Sequence, residues 1–164
     1  MAAVELELFT KLSGGKQMKL NELQKALGMK ARPTGVFASA LASLGLLHIT
    51  KTVVGGESLF PNSSVSEMFL DKSKDFYMGD IISMFDKRLY KAWDKLVESL
   101  HTNKPVNAAY GGGAETLFDL AKSKQALEEI QKFTHAMHGI SIGPAIKLPK
   151  VYDFSKHSRM IDID

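Results

Sequence analysis

Three short apolar-striped segments, each closed by a glycine, followed by a hairpin signal, occupy the first sixty residues and restrict the fold more than any other feature. Residues 2–12 set Val4, Leu6, Leu8, Phe9 and Leu12 at mostly helical spacing, and Ser13-Gly14-Gly15 stops them. Residues 20–27 place Leu20, Leu23, Ala26 and Leu27 on one face before Gly28. Arg32-Pro33-Thr34 opens a third helix, since proline suits a first helical turn, and Val36, Phe37, Ala40, Leu41 and Leu44 form its stripe before Gly45. The runs LLHITKTVV and ESLFPN then flank Gly55-Gly56, a two-residue turn of the kind that closes a β-hairpin.

Three helices and a hairpin in this order are the pattern of a winged helix. Beyond it the chain reads as helix. Residues 64–70 form a short one, and residues 78–100 a long one with Ile81, Ile82, Phe85, Leu89, Trp93, Leu96, Val97 and Leu100 recurring at threes and fours. Asn103-Lys104-Pro105 ends it, and Gly111-Gly112-Gly113 marks a flexible connection. Residues 116–122 suggest a turn or two of helix, and Ser123 is placed to cap a last helix carrying Leu127, Ile130, Phe133, Met137 and Ile140. Gly143-Pro144 is expected to kink or end it. The apolar run Met160-Ile161-Asp162-Ile163 then has the character of a buried parallel strand. Its ladder partners and covering helix are not among these residues, so the chain reads as the front part of a larger protein, with the first helix also lacking a cap before it.

At 164 residues, 45% hydrophobic and 24% charged, the chain can bury one real core. Its apolar stretch at residues 35–49 falls short of the roughly 20 residues that span a bilayer, and no signal-like segment precedes residue 5. No cysteine is present, which removes disulfides and thiolate chemistry and is compatible with a cytoplasmic setting. A net charge of +3 is not the basic footprint of a nucleic-acid reader. The third helix argues the same way, because no charged residue lies between Pro33 and Gly45, and a reading helix must neutralise phosphates. Its small residues Ala38, Ser39, Ala42 and Ser43 suit close packing on another surface instead.

Six fragments in order carry a resemblance: AAVELELF, LASLGLL, RLYKAWDKL, PVNAAYG, FTHAM and the tail YDFSKHSRMIDI. Together they resemble the small-molecule O-methyltransferases that use S-adenosylmethionine, the caffeic acid and hydroxyindole O-methyltransferase family. The resemblance implies a mainly α fold: a winged-helix dimerisation subdomain at 1–62, a helical dimerisation and substrate-lid region at 63–148, and the start of a Rossmann-like methyltransferase domain at 149–164. It also implies a homodimer whose parent protein moves a methyl group from S-adenosylmethionine to a hydroxyl of a small aromatic acceptor. Two departures stand out. Asp164 occupies the place of the first glycine of the family's cofactor loop, and GGGAE looks like a small insertion. With that loop and the family's catalytic histidine both outside these residues, the chain by itself is expected to hold no cofactor and to be inactive. The alternatives are a self-associating module without catalysis and a winged-helix DNA regulator.

On periodicity alone Phe85, Tyr90, Trp93, Phe133 and Met137 are core residues. The resemblance instead puts Tyr90, Trp93, Leu96, Phe133 and Met137 on the wall of the acceptor pocket, where flat apolar rings and a polarisable thioether would suit an aromatic guest. It gives Asp162 the acidic position of the cofactor motif, used only in the intact parent. No residue is assigned a catalytic role. His135 and His138 share a helix face but lack carboxylates or cysteines nearby, so no metal site is expected. Lys87, Arg88, Lys91 and Lys95 alternate with Asp86, Asp94 and Glu98, which is a solvated face.

Overall fold

The computed structural model describes residues 1–51, 56–104, 124–161 and 163. Its elements in order are α1 (Ala2–Glu5), α2 (Leu8–Lys11), β1 (Gln17–Lys19), α3 (Leu20–Leu27), α4 (Ala31–Ser43), β2 (Thr50–Lys51), β3 (Ser58–Pro61) and α5 (Ser64–Phe69). Then come α6 (Gly79–Met84), a π-helical turn (Phe85–Leu89), α7 (Tyr90–Trp93), α8 (Leu96–Thr102), α9 (Lys124–Val151) and a 3₁₀ turn (Phe154–Lys156). The chain is mainly helical with one small three-stranded antiparallel sheet of order β1-β3-β2.

The sheet is larger than the expected hairpin. Strands β2 and β3 pair as anticipated, Thr50 with Leu59 and Lys51 with Ser58, while β1 adds Met18 opposite Phe60. Gly55 lies outside the described residues, and Gly56 has a positive φ of 61°. Glycine stops also hold at Gly28 and Gly45, with φ of 63° and 70° respectively, which is the left-handed geometry that a glycine adopts without steric cost.

The first helix departs from expectation. Residues 2–12 break in two at Leu6 and Glu7, with Glu7 at φ 52°. The freed carbonyl of Leu6 accepts a hydrogen bond from Lys11 Nζ at 2.8 Å, and the Glu7 carboxylate pairs with Lys72 at 3.1 Å. The break lets both pieces deliver apolar groups to one core: Ala3 from the first, and Leu8 and Phe9 from the second, with Leu12 just beyond. These residues pack with Met18, Leu23, Ala38, Leu41, Leu47 and Phe60. Full burial of each large aliphatic or aromatic side chain contributes about 1.5–3 kcal/mol.

Ser63 closes the core unit from below by capping α5, its hydroxyl accepting from the Ser66 N–H at 3.2 Å. Ser66 in turn donates its hydroxyl to the Leu46 carbonyl at 2.7 Å, which ties α5 to the end of α4's turn.

Past residue 78 the expected long helix is interrupted. The π turn replaces α-helix at Phe85–Leu89, and Asp94 and Lys95 separate α7 from α8. One residue inserted by a π turn rotates everything after it by about 100° around the axis. Ile81, on α6 where α9 packs, is buried, whereas Trp93 beyond the turn is not. Helix α9 packs on α6, burying Ala136 completely. Gly139 allows the approach: a Cβ there would stand 2.7 Å from the backbone oxygen of Tyr77. The expected stop at Gly143-Pro144 does not occur, and α9 runs through Pro144 and Pro149 to Val151. Each proline removes one donor, but the helix is exposed at both prolines, where water can take the lost bond. The expected elements at 116–122 and the cap at Ser123 lie outside the described residues.

The tail is not a strand. Met160, Ile161 and Ile163 carry no ladder hydrogen bonds and are more than four-fifths exposed, at 82%, 83% and 88%. A strand takes its form from a neighbour, and among the described residues nothing lies alongside. No helix among the described residues is long and apolar enough to cross a membrane.

Candidate functional site

The residues singled out in the sequence fall on two elements. Tyr90 and Trp93 on α7 and Leu96 opening α8 point outward, 71%, 72% and 56% exposed. Phe85, Val97 and Leu100 are exposed with them, so residues 85–100 present one apolar helical face to solvent. Contiguous exposed apolar faces of this kind mark sites of contact with a protein or a ligand. Phe133 and Met137 instead sit on α9, both half-buried on either side of the fully buried Ala136. Helix α6 links the two sets, packing on α9 and running into the π turn. Periodicity alone had assigned Tyr90 and Trp93 to a core; both are exposed instead, on a helix beyond the α6 segment that α9 covers.

Asp162 lies outside the described residues. His135 and His138 are exposed on α9, and among the described residues no three histidine, aspartate or glutamate side chains gather as a metal site would require. Around the turn at residues 152–157 the rings of Tyr152 and His157 stack 5.8 Å apart, and the Tyr152 hydroxyl meets His157 Nε2 at 2.7 Å. Asp153 caps that turn through the Ser155 N–H and hydroxyl, at 3.1 and 2.6 Å. Those two hydrogen bonds, with Lys156 nearby, hold the Asp153 carboxyl below its ordinary range.

One polar network was not anticipated from the sequence. Glu67 on α5 accepts from Asn62 Nδ2 at 2.8 Å and from the Gly14 N–H at 2.7 Å, with Lys74 at 3.4 Å. Asn62 spans to the core unit through the Phe9 carbonyl, also at 2.8 Å. The Asn62 bond, reinforced by Gly14 and Lys74 against a smaller desolvation effect, holds the Glu67 carboxyl below its ordinary range. Asp71 is fully buried; burial by itself pushes its carboxyl up, but hydrogen bonds from Ser13 and Ser73 and the charge of Lys74 together pull it down. Asp71-Lys72-Ser73, with an aspartate two residues before a serine, was the available sequence signal for this turn. The network staples the turn after the first helices to the segment leading into α6.

Comparison with known proteins identifies the first part of this arrangement. Residues 1–72, from α1 through α5, match the O-methyltransferase dimerisation domain. Over these residues the chain is similar to an O-methyltransferase dimerisation domain. This domain holds the whole buried core unit, so the glycine-stopped helices and three-stranded sheet are its framework. A curated relative, the tetracenomycin polyketide synthesis 8-O-methyl transferase TcmO of Streptomyces glaucescens, is 31% identical over 163 residues, 99% of this chain and 44% of that protein. The chain therefore spans less than half the length of this relative. Among solved structures, human N-acetylserotonin methyltransferase in complex with SAM shares the fold at a TM-score of 0.77 and 19% identity, over 94% of this chain and 44% of that one. The N,N-8-amino-8-demethyl-D-riboflavin dimethyltransferase RosA from Streptomyces davawensis does so at 0.69 and 22%, over 94% and 44%. In both, the likeness beyond the dimerisation domain extends along the helices that carry the apolar face.

Proposed function

We propose that these residues are the dimerisation and substrate-binding part of an S-adenosylmethionine-dependent O-methyltransferase acting on a small aromatic hydroxyl acceptor. Residues 1–62 are the winged-helix dimerisation subdomain, 63–148 the helical dimerisation and lid region, and 149–164 the start of the methyltransferase domain. The observation that carries the reading is the conjunction of a dimerisation domain at 1–72 with an uncovered apolar face at 85–100. Tyr90, Trp93 and Leu96 form one part of the acceptor wall, and Phe133 and Met137 another. Rings and a thioether bind a planar guest by area and dispersion, leaving its hydroxyl free to face the methyl donor.

The cofactor does not fit the residues present. A glycine-rich loop is needed for backbone to approach it, and residues 149–164 contain no glycine. No step of methyl transfer is assigned to these 164 residues. Titration calorimetry of the chain with S-adenosylmethionine is expected to give no saturable heat; saturable binding would overturn the assignment of 149–164. Light scattering is expected to give a dimer, and a monomer at all concentrations would overturn the dimerisation reading.

A further inference from the structure

Helix α4 carries a second uncovered face, separate from the one at residues 85–100. Val36 and Leu44 are 65% and 72% exposed, and Arg32, Ser39, Ala40 and Ser43 are exposed beside them. Arg32, Val36 and Ala40, with Met29, Pro33 and Phe37, line an open groove of about 510 Å³. The stripe runs at spacings of four, 32, 36, 40 and 44, down most of a 13-residue helix. One of its polar groups is already spent: the Ser43 hydroxyl donates to the Ser39 carbonyl at 3.0 Å, so covering that hydroxyl strands no donor.

The charges on this helix are placed against its own dipole. Its first turn contains no acid and its last turn no base, while Lys30 and Arg32 stand exposed at its N-terminal end. Cations belong beside a helix C-terminus. An antiparallel neighbour supplies one, and a second copy of α4 is such a neighbour.

We infer that α4 pairs antiparallel with α4 of a second copy across a two-fold axis at Ala40. In that register Val36 meets Leu44 of the second copy, Ala40 meets itself, and Arg32 reaches the C-terminal turn of the opposite helix. Small residues at 39, 40 and 43 let the backbones approach closely, as a two-fold helix contact requires. The groove lies inside the stretch matched by the dimerisation domain, so this inference rests on the dimerisation reading and names the surface that performs it.

The chain has no cysteine, which makes a single introduced thiol a clean reporter. Ala40→Cys in the 164-residue chain is expected to form a covalent dimer under mild oxidation, while Asn21→Cys, on the exposed side of α3, is not. Leu44→Asp places a carboxylate at each symmetric contact and is expected to weaken dimerisation by about 100-fold while leaving the circular dichroism spectrum unchanged. A dimer that persists in Leu44→Asp, with Ala40→Cys uncross-linked, would overturn α4 as the interface and leave the dimerisation reading standing, the groove then belonging to some other occupant. A wild-type monomer at all concentrations would overturn both.

Discussion

Residues 1–78 and residues 79–151 carry apolar residues at similarly regular spacings and use them in opposite ways. In the first region every helix from α1 to α4 contributes to a shared core of ten buried residues, from Ala3 to Phe60, even though Val36 and Leu44 of the α4 stripe stay outside it. In the second, among the described residues, Ile81 and Ala136 are the buried hydrophobics, and Tyr90, Trp93, Leu96, Val97 and Leu100 face solvent. The first region is built to fold on its own contacts. The second is built to be completed, and the difference shows that helical periodicity tells which side of a helix is apolar but not what covers it.

The largest effect expected from breaking this contrast is in the core. Leu12 is fully buried between the first helices and the sheet, so Leu12→Ala removes its transfer free energy and leaves a cavity. It is expected to cost about 2–5 kcal/mol in urea unfolding. A cost under about 1 kcal/mol would mean that the two regions are not as differently packed as their burial indicates.

The next effect concerns the polar network at the far edge of the first region. Asp71→Asn weakens the bonds from the Ser73 N–H and hydroxyl, at 3.0 and 2.9 Å, and the pairing with Lys74 at 3.8 Å. It is expected to cost about 1.5–3 kcal/mol at neutral pH. The carboxyls of Asp71 and Glu67 both lie below their ordinary values in the folded chain, so the unfolded chain takes up protons first as the solution is acidified. Their contribution is therefore complete above the ordinary carboxylate range near about pH 4, and is lost as pH falls through the lower folded values. Wild-type stability should fall across that window, and Asp71→Asn should fall less steeply. Equal slopes would place the acid sensitivity elsewhere.

A smaller effect tests the joint between the two regions. Gly139→Ala puts a methyl group 2.7 Å from the Tyr77 carbonyl, and backbone on both sides has little room to yield. It is expected to cost about 1–3 kcal/mol and to make α9 the first element cut in limited proteolysis. Unchanged protection of α9 would show that the helix is held by contacts other than this close approach.

How far the sequence foretold this depends on the kind of signal. Helices α3 and α4 were legible because stripe and stop coincide, Gly28 and Gly45 adopting the left-handed turns that end them. Strand β1 was not, since three residues, Gln17–Lys19, are too few to display alternation and are defined only by pairing with β3. The break at Glu7 and the π turn at Phe85–Leu89 were invisible too, because each is set by tertiary demand rather than by a residue that breaks helices. Of the residues proposed for the acceptor wall, Trp93 and Leu96 were legible as part of one apolar stripe, but their exposure was not, because periodicity does not say what covers a helix. Glu67 and Asp71 were missed for a plainer reason: their partners Gly14, Asn62 and Ser13 are distant along the chain.

The smallest expected effect is at Trp93, and it is the sharpest statement of the contrast. Trp93 is the single tryptophan of the chain and is 72% exposed. A large aromatic side chain usually dominates the energetics of whatever core it joins, costing about 3–5 kcal/mol on truncation. Here it has little to lose, and Trp93→Ser, measured at dilution where association is negligible, is expected to change stability by no more than about 0.5 kcal/mol. Its fluorescence should peak near the wavelength of a solvated indole, and should move to shorter wavelength only when something covers residues 85–100. A loss of 2 kcal/mol or more, or a blue-shifted peak in the dilute chain, would put Trp93 in a core, and the second region would then be folding for itself as the first one does.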